Sequence, residues 1–195
     1  MTKAEKTRQF IIEKTAPIFN TKGYAGTSLS DITEATGLTK GSIYGNFANK
    51  DEVALAAFDH NLQTVQGIIR NEMSQHESVK EKLLVYVNVY NDFTRHSFPV
   101  GGCPILNTAI EADDTHPVLK KKVIDAIAAW KKNMAGLVRQ GIENKEFRKD
   151  VDAEQVALTI IALIEGGIMI RKITGSPVYK KSINEAIEAI VHGLA

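Results

Sequence analysis

The sequence predicts an all-α fold of about nine helices. Apolar residues recur at helical spacing along the chain, and no segment alternates with period two over a convincing length. Helix-start signals also recur. Thr2 with Glu5, Asn49 with Glu52 and Ser78 with Glu81 have capping-box spacing; Ser28 with Asp31 is a shorter version and Asp152 with Gln155 a looser one. In each, a side-chain oxygen can accept from an orphan N–H of the first turn.

The predicted spans are 3–21, 28–35, 39–46, 49–75, 79–96, 103–112, 117–144, 152–173 and 178–193. The first holds Pro17 within its pattern, which predicts a bend there, not two separate helices. The next two are short and joined by Thr36-Gly37-Leu38-Thr39. Gly37 stands where a tight turn needs a left-handed residue, and Thr39 can cap the second of the two short helices. Leu29, Ile32, Leu38, Ile43 and Phe47 form their inward set. Helices this short are unstable alone, so they pack on the first through Ile11, Ile18 and Phe19. This is the build of a homeodomain-like helix-turn-helix head, placed at 1–48 and linked by the helix at 49–75 to a second domain at 76–195. Pro117 opens the helix at 117–144 near its first position.

Composition bounds the answer. A chain of 195 residues and 21.4 kDa, 44% hydrophobic and 24% charged, is neither disordered nor fibrous. At this length a chain buries roughly 70% of its unfolded surface and needs no staples. Its 24 basic and 23 acidic residues leave a net charge of +1, so a whole-chain basic signature is absent. The first fifty residues nevertheless carry seven basic against four acidic residues, a positive lobe suited to a polyanion. One cysteine, Cys103, excludes an internal disulfide and a Cys-based zinc site. The apolar run Ile160 to Ile164 is far too short to span a bilayer. The expectation is a soluble, cytoplasmic protein with no membrane partner.

The segment Thr27 to Lys50 is the most informative. At about 100° per residue, Ile43 and Phe47 mark the buried side of the second short helix, and Gly41 and Gly45 lie almost opposite. Ser42 and Tyr44 flank that centre, where a double glycine lets another surface approach the backbone closely. The stretch Gly37 to Glu52, GLTKGSIYGNFANKDE, resembles the DNA-binding signature of TetR-family transcriptional regulators. Upstream, Lys22-Gly23-Tyr24, Thr27-Ser28 and Asp31-Ile32 fit the same pattern. The resemblance is close over about the first 60 residues; beyond them only helix count, length and style are similar.

That resemblance implies roles. Ser28 meets a phosphate through its hydroxyl and the helix start, Lys40 reaches phosphate or a base edge, and the Tyr44 hydroxyl binds a phosphate. Asn46 and Lys50 anchor the same strand, with Thr27, Ser30, Thr39 and Ser42 as secondary contacts beside Gly41 and Gly45. Thr33 and Thr36 depart from the family's usual alanines. Gly45 replaces a larger side chain, which removes base readout there except through the backbone. Direct readout then falls to Lys40, Ser42 and Thr39, with DNA shape supplying part of the specificity.

The remainder shows no catalytic constellation, no metal-ligand spacing among its five histidines and no Gly-rich phosphate loop, so neither enzyme activity, metal nor cofactor is expected. The segment 152–173 is apolar nearly all round and must be buried on more than one side. Val156, Ile160, Leu163 and Ile164, with Ile183, Ile187 and Ile190 of the last helix, are the expected homodimer interface; the family resemblance implies the dimer and the apolar surplus agrees. A dimer presents two recognition helices to a palindromic double-stranded DNA operator. The resemblance also implies a small-molecule effector pocket, with Tyr86, Tyr90, Phe93, Asn107, Glu111, Trp130, Met134, Glu165 and Met169 as candidate liners and Cys103 beside them.

The leading reading is therefore a repressor released from its operator by a ligand. Three alternatives stand beside it. One is a helical small-molecule-binding protein or enzyme with a degenerate head, and another a redox- or electrophile-sensing regulator acting through Cys103, which sits near a helix start after Gly101-Gly102. The third is an activator.

Overall fold

The structure, a computed structural model, describes residues 1–91 and 97–195. Among the described residues there are nine helices and no strand: α1 (Lys3–Lys22), α2 (Leu29–Thr36), α3 (Lys40–Tyr44), α4 (Lys50–Met73), α5 (Val79–Asn91), α6 (Pro104–Thr115), α7 (Pro117–Glu143), α8 (Ala153–Thr174) and α9 (Pro177–His192). The all-α expectation holds. The local reason is visible at the helix starts. Thr2 and Ser28 form reciprocal capping boxes with Glu5 and Asp31, Thr39 accepts from the Ser42 amide, and Asp152 accepts from Glu154 and Gln155. At α4 the Asn49 side chain accepts from the Glu52 amide at 2.9 Å, while Glu52 reaches back to the Ala48 amide at 2.7 Å. α1 runs unbroken through Pro17.

The contacts divide the chain into two compact units, Met1–Gln66 with Phe98–Val123 and Gly67–Ser97 with Ile124–Ala195. The contact boundary thus differs from the expected division at 48 and 76: α6 and the start of α7 pack with the head residues.

The core of the first unit joins Ile11, Ala16 and Phe19 of α1 to Ile32, Ile43, Phe47, Val53, Ala54 and Ala57, with Leu38 packed against it. Gly37, at φ 66°, adopts the left-handed conformation that ends α2 and turns the chain into α3. α3 is shorter than its predicted span because the turn tightens. The Asn46 amide bonds Ile43 O, three residues back, and the Asn46 side chain takes Ser42 O at 2.9 Å. Arg8 lies 4.0 Å from the Phe47 ring centre and pairs with Glu52 at 2.6 Å, tying the end of α3 to α1 and α4.

The loop between α1 and α2 is held from two sides. From α6, the Glu111 carboxylate accepts from the backbone amides of Tyr24 and Ala25, both at 2.6 Å. Gly23 makes this possible: its φ is 74°, and a Cβ there would lie 2.4 Å from Glu111 Oε2. From α4, Lys50 Nζ donates to Tyr24 O at 2.9 Å and Thr27 O at 3.1 Å, and sits 4.0 Å from the Tyr24 ring centre. The Tyr24 hydroxyl donates to Asp51, and its ring meets the His116 ring edge-on at 4.6 Å. One turn earlier, the buried Asn20 side chain donates to Val100 O and Gly102 O, while Asn107 donates to Asn20 O at 2.9 Å.

In the second unit, α8 packs on α9 and both pack on α5. Buried residues include Leu83, Val87 and Val89 of α5, Met134 and Val138 of α7, Ile160, Ile164 and Ile168 of α8, and Ile187 and Val191 of α9. Glu146 caps the start of α5 by accepting from the Val79 amide at 2.8 Å.

The bond from Tyr24 to Asp51, with burial and the nearby carboxylates, pushes the phenol from its ordinary 10.0 up to about 12. A raised pKa favours the protonated phenol in the folded state, so its stabilisation is complete below pH 10 and is lost as pH rises toward 12. Alkaline unfolding followed by circular dichroism is expected to show this loss in the native protein, and Tyr24→Phe is expected to flatten stability across that window.

Candidate nucleic-acid interface

α2 and α3 present the polar residues read from the sequence. Ser28, Ser30, Thr39, Lys40, Gly41, Tyr44 and Gly45 are exposed, and Ser42, Asn46 and Lys50 are half-buried. Lys40 Nζ lies 5.9 Å from the Tyr44 ring centre, so cation and phenol stand together at the start and end of α3. Gly41 and Gly45 lie beside that pair, between Tyr44 and Ser42, so nothing bulkier than backbone occupies the middle of that face.

Several of these groups already have partners. Ser28 Oγ accepts from the Asp31 amide and donates to Asp31 Oδ2 at 2.6 Å. A phosphate reaches the Ser28 proton only after that hydroxyl turns. Lys22 pairs with Asp31 at 2.5 Å; its hydrogen bond, followed by those from Ser28, holds the carboxyl far below the ordinary carboxylate range. The start of α2 therefore carries its own anion, with a half-exposed lysine beside it. The Asn46 side chain donates its N–H to Ser42 O and keeps its side-chain oxygen for another donor, while its backbone carbonyl accepts from Arg8. Lys50 points inward to the α1–α2 loop, and Thr27 is fully buried, its hydroxyl donating to Gly23 O at 2.6 Å. In this conformation both shape the face from behind. Sequence reasoning missed Arg8, Lys22 and Glu111 as supports. The acid at 111 and the amides it holds lie 86 and 87 positions apart, a pairing with no local signal.

The expected effector liners fall into two groups. Tyr86, Tyr90, Trp130 and Met134 are all buried in the second unit, with Tyr90 stacked on Trp130 at 5.1 Å and Tyr86 at 6.2 Å. Glu165 is half-buried on α8, and Met169 is 46% exposed. Cys103, Asn107 and Glu111 belong to the first unit, where Asn107 and Glu111 bond the end of α1 and the loop after it. Cys103 is fully buried as the residue before α6, and its side chain makes no capping bond. Phe93 lies outside the described residues.

The expected dimer residues are also divided. Ile160, Ile164 and Ile187 are buried inside the protomer, while Val156, Leu163, Ile183 and Ile190 are half-buried. The exposed apolar stripe of α8 is a different one: Leu158, Ala162, Met169 and Ile173, the last 82% exposed. Exposed Ala186 and Ala189 lie on α9. A helix apolar all round carries two stripes, and periodicity alone does not say which one meets its own core.

No helix among the described residues is long and apolar enough to cross a membrane, and no group of three or more His, Cys, Asp or Glu residues there could hold a metal ion.

Comparison with known proteins agrees with this architecture. Residues 11–57 match the family model for bacterial regulatory proteins of the tetR family, and residues 79–187 match the model for a tetracyclin repressor-like C-terminal domain. A TetR-family transcriptional regulator from Cytophaga hutchinsonii is 52% identical; the match covers 100% of this chain and 97% of that one, with a TM-score of 0.96. A TetR transcriptional regulator from Chloroflexus aurantiacus is 38% identical over 98% of this chain and 97% of that one, with a TM-score of 0.92. The HTH-type transcriptional repressor DhaR of a Mycobacterium species is 25% identical over 85% of this chain and 82% of its own length. With both halves matched and a solved relative aligned end to end, the chain belongs to the TetR family of DNA-binding transcriptional regulators and is not an enzyme.

Proposed function

We propose that two copies of this chain bind a palindromic operator as a repressor and leave it when a small molecule occupies the second unit. The observation that carries this reading is the exposed face of α3, where Lys40 stands beside Tyr44, and Tyr44 and Ser42 flank the two glycines, on a base of three packed helices. Lys40, Ser42 and Thr39 supply the few side chains able to reach base edges, and the remaining contacts position the phosphate backbone. Repression is favoured by the likeness to DhaR, whose name describes it as a repressor.

The uncovered stripe on α8 supports dimerisation. Leu158, Ala162, Met169 and Ile173 share one face of α8, interrupted at the turn of Glu165 and Gly166, and the small Ala186 and Ala189 let a second helix approach α9 closely. Two reading heads about 34–36 Å apart then address successive major grooves on one side of the duplex. A ligand that favours another spacing lowers operator affinity, typically through about 1–3 kcal/mol of coupling. α4 and α7 each contribute residues to both units, so they are the covalent routes for that coupling. The burial of Cys103 favours a packing role over sensing.

Gel shifts on the DNA flanking the chain's own gene test the regulator reading; a salt-independent smear or no shift contradicts it. In such titrations Lys40→Ala is expected to reduce the slope of log affinity against log salt by about 1. Lys50→Ala is expected to leave that slope nearly unchanged but to lower unfolding stability by about 1–3 kcal/mol, because its ammonium holds two loop carbonyls. Charge placed on the α8 stripe, as in Leu158→Asp with Met169→Asp, is expected to yield a folded monomer by analytical ultracentrifugation, with operator affinity reduced about 100-fold or more.

A further inference from the structure

We propose that the indole of Trp130 anchors a ligand site in the second unit that takes a neutral, planar aromatic compound carrying a hydrogen-bond acceptor. This rests on the reading of the chain as an effector-responsive regulator, and it names the chemistry of the effector.

Trp130 is 7% exposed, and its Nε1 is sealed from solvent with no hydrogen-bond partner among the described residues. An indole N–H is a donor only, so water or a protein oxygen ordinarily satisfies it when it is buried. A buried donor left unpaired loses its hydration without compensation. A phenylalanine would fill most of the same volume without that cost. The position therefore holds a donor aimed at an acceptor that the described residues do not provide.

The surroundings define what the acceptor is attached to. The Tyr90 ring lies 20° from parallel to the indole at 5.1 Å, and the Tyr86 ring lies 31° from parallel at 6.2 Å. Three π-faces of similar orientation suit a flat aromatic molecule, which adds to the stack with little conformational loss. Met134, one helical turn from Trp130 and fully buried, is the adaptable neighbour that moves aside for it.

Charge argues for a neutral occupant. Burial pushes the Tyr86 phenol up to about 12, so it stays uncharged near neutral pH. Tyr90 also borders a crevice of about 20 Å³ whose walls are mostly apolar, from Val87, Ile164, Ile168 and Ile187, with the neutral Asn184 at its edge. Arg171 borders it but is already engaged. An anion placed among the apolar walls would lose much of its hydration. The crevice admits one water-sized group, so a ring enters by parting side chains, and this opening is the strain that favours a second conformation.

Trp130 is the only tryptophan in the chain, so its emission reports on this site alone. Quinoline and naphthalene share a shape, and only quinoline offers an acceptor nitrogen. Titrated against the full-length protein near neutral pH, quinoline is expected to change Trp130 emission saturably and to bind about tenfold more tightly than naphthalene, the difference one good hydrogen bond makes. Calorimetry on Trp130→Phe, which retains an aromatic ring and lacks the donor, is expected to show that preference lost while the thermal midpoint holds or rises. Equal affinities, no binding of either compound, or a preference that survives in Trp130→Phe overturns the proposal. Gel shifts on the same preparations keep the two readings apart. Salt-dependent operator binding without quinoline binding removes this site and leaves the regulator, whereas failure of the unmodified protein to bind DNA removes the regulator reading itself.

Discussion

The carboxylate of Glu111 accepting from two adjacent backbone amides is the interaction on which the head's geometry turns. Those amides belong to Tyr24 and Ala25, immediately after α1 ends. The same loop leads directly into Ser28 and α2, so its placement sets where α2 begins and, through Gly37, where α3 lies. Charge-assisted bonds of this kind are worth about 1.5–3 kcal/mol each, comparable to a cap at either end of a helix. Lys50 grips the loop's carbonyls as Glu111 grips its amides. The loop therefore has both kinds of backbone group satisfied from outside itself, which explains how a glycine-rich connection holds a single conformation.

This arrangement separates recognition from support. The exposed residues of α3 face outward with few internal bonds, while Thr27, Lys50 and Arg8 work from behind to hold the backbone that carries them. It also makes α6 part of the head in the packing sense, through Asn107 on Asn20 and Glu111 on the loop. A displacement of α6 then has a direct mechanical consequence for α2 and α3.

Much of the fold was legible because it is written locally. The capping residues, the helical periodicity and Gly37 located every described helix, and the inward set of Ile32, Ile43 and Phe47 packed on Ile11 and Phe19 as periodicity required. What stayed illegible depends on chain segments far apart. Nothing near Glu111 says that it caps a loop 86 to 87 positions earlier, and nothing near Lys50 says that its ammonium turns inward. The shortness of α3 comes from Asn46 bonding back to Ser42, a local competition that helical spacing does not register. On α8 two apolar stripes lie side by side, and only the packing of Ile160, Ile164 and Ile168 reveals that Leu158, Met169 and Ile173 are the uncovered row.

Glu111 positions the reading head without belonging to it, and amide hydrogen exchange reads that role at the two amides it holds. In the full-length protein the Tyr24 and Ala25 amides should exchange slowly. In Glu111→Ala those two amides should exchange at least tenfold faster while core amides of the head, such as Phe47, stay protected, and operator affinity should fall with the salt slope unchanged. Slow exchange at Tyr24 and Ala25 in that variant would mean that Glu111 does not hold the loop, and a changed salt slope would mean that it acts at the DNA face itself.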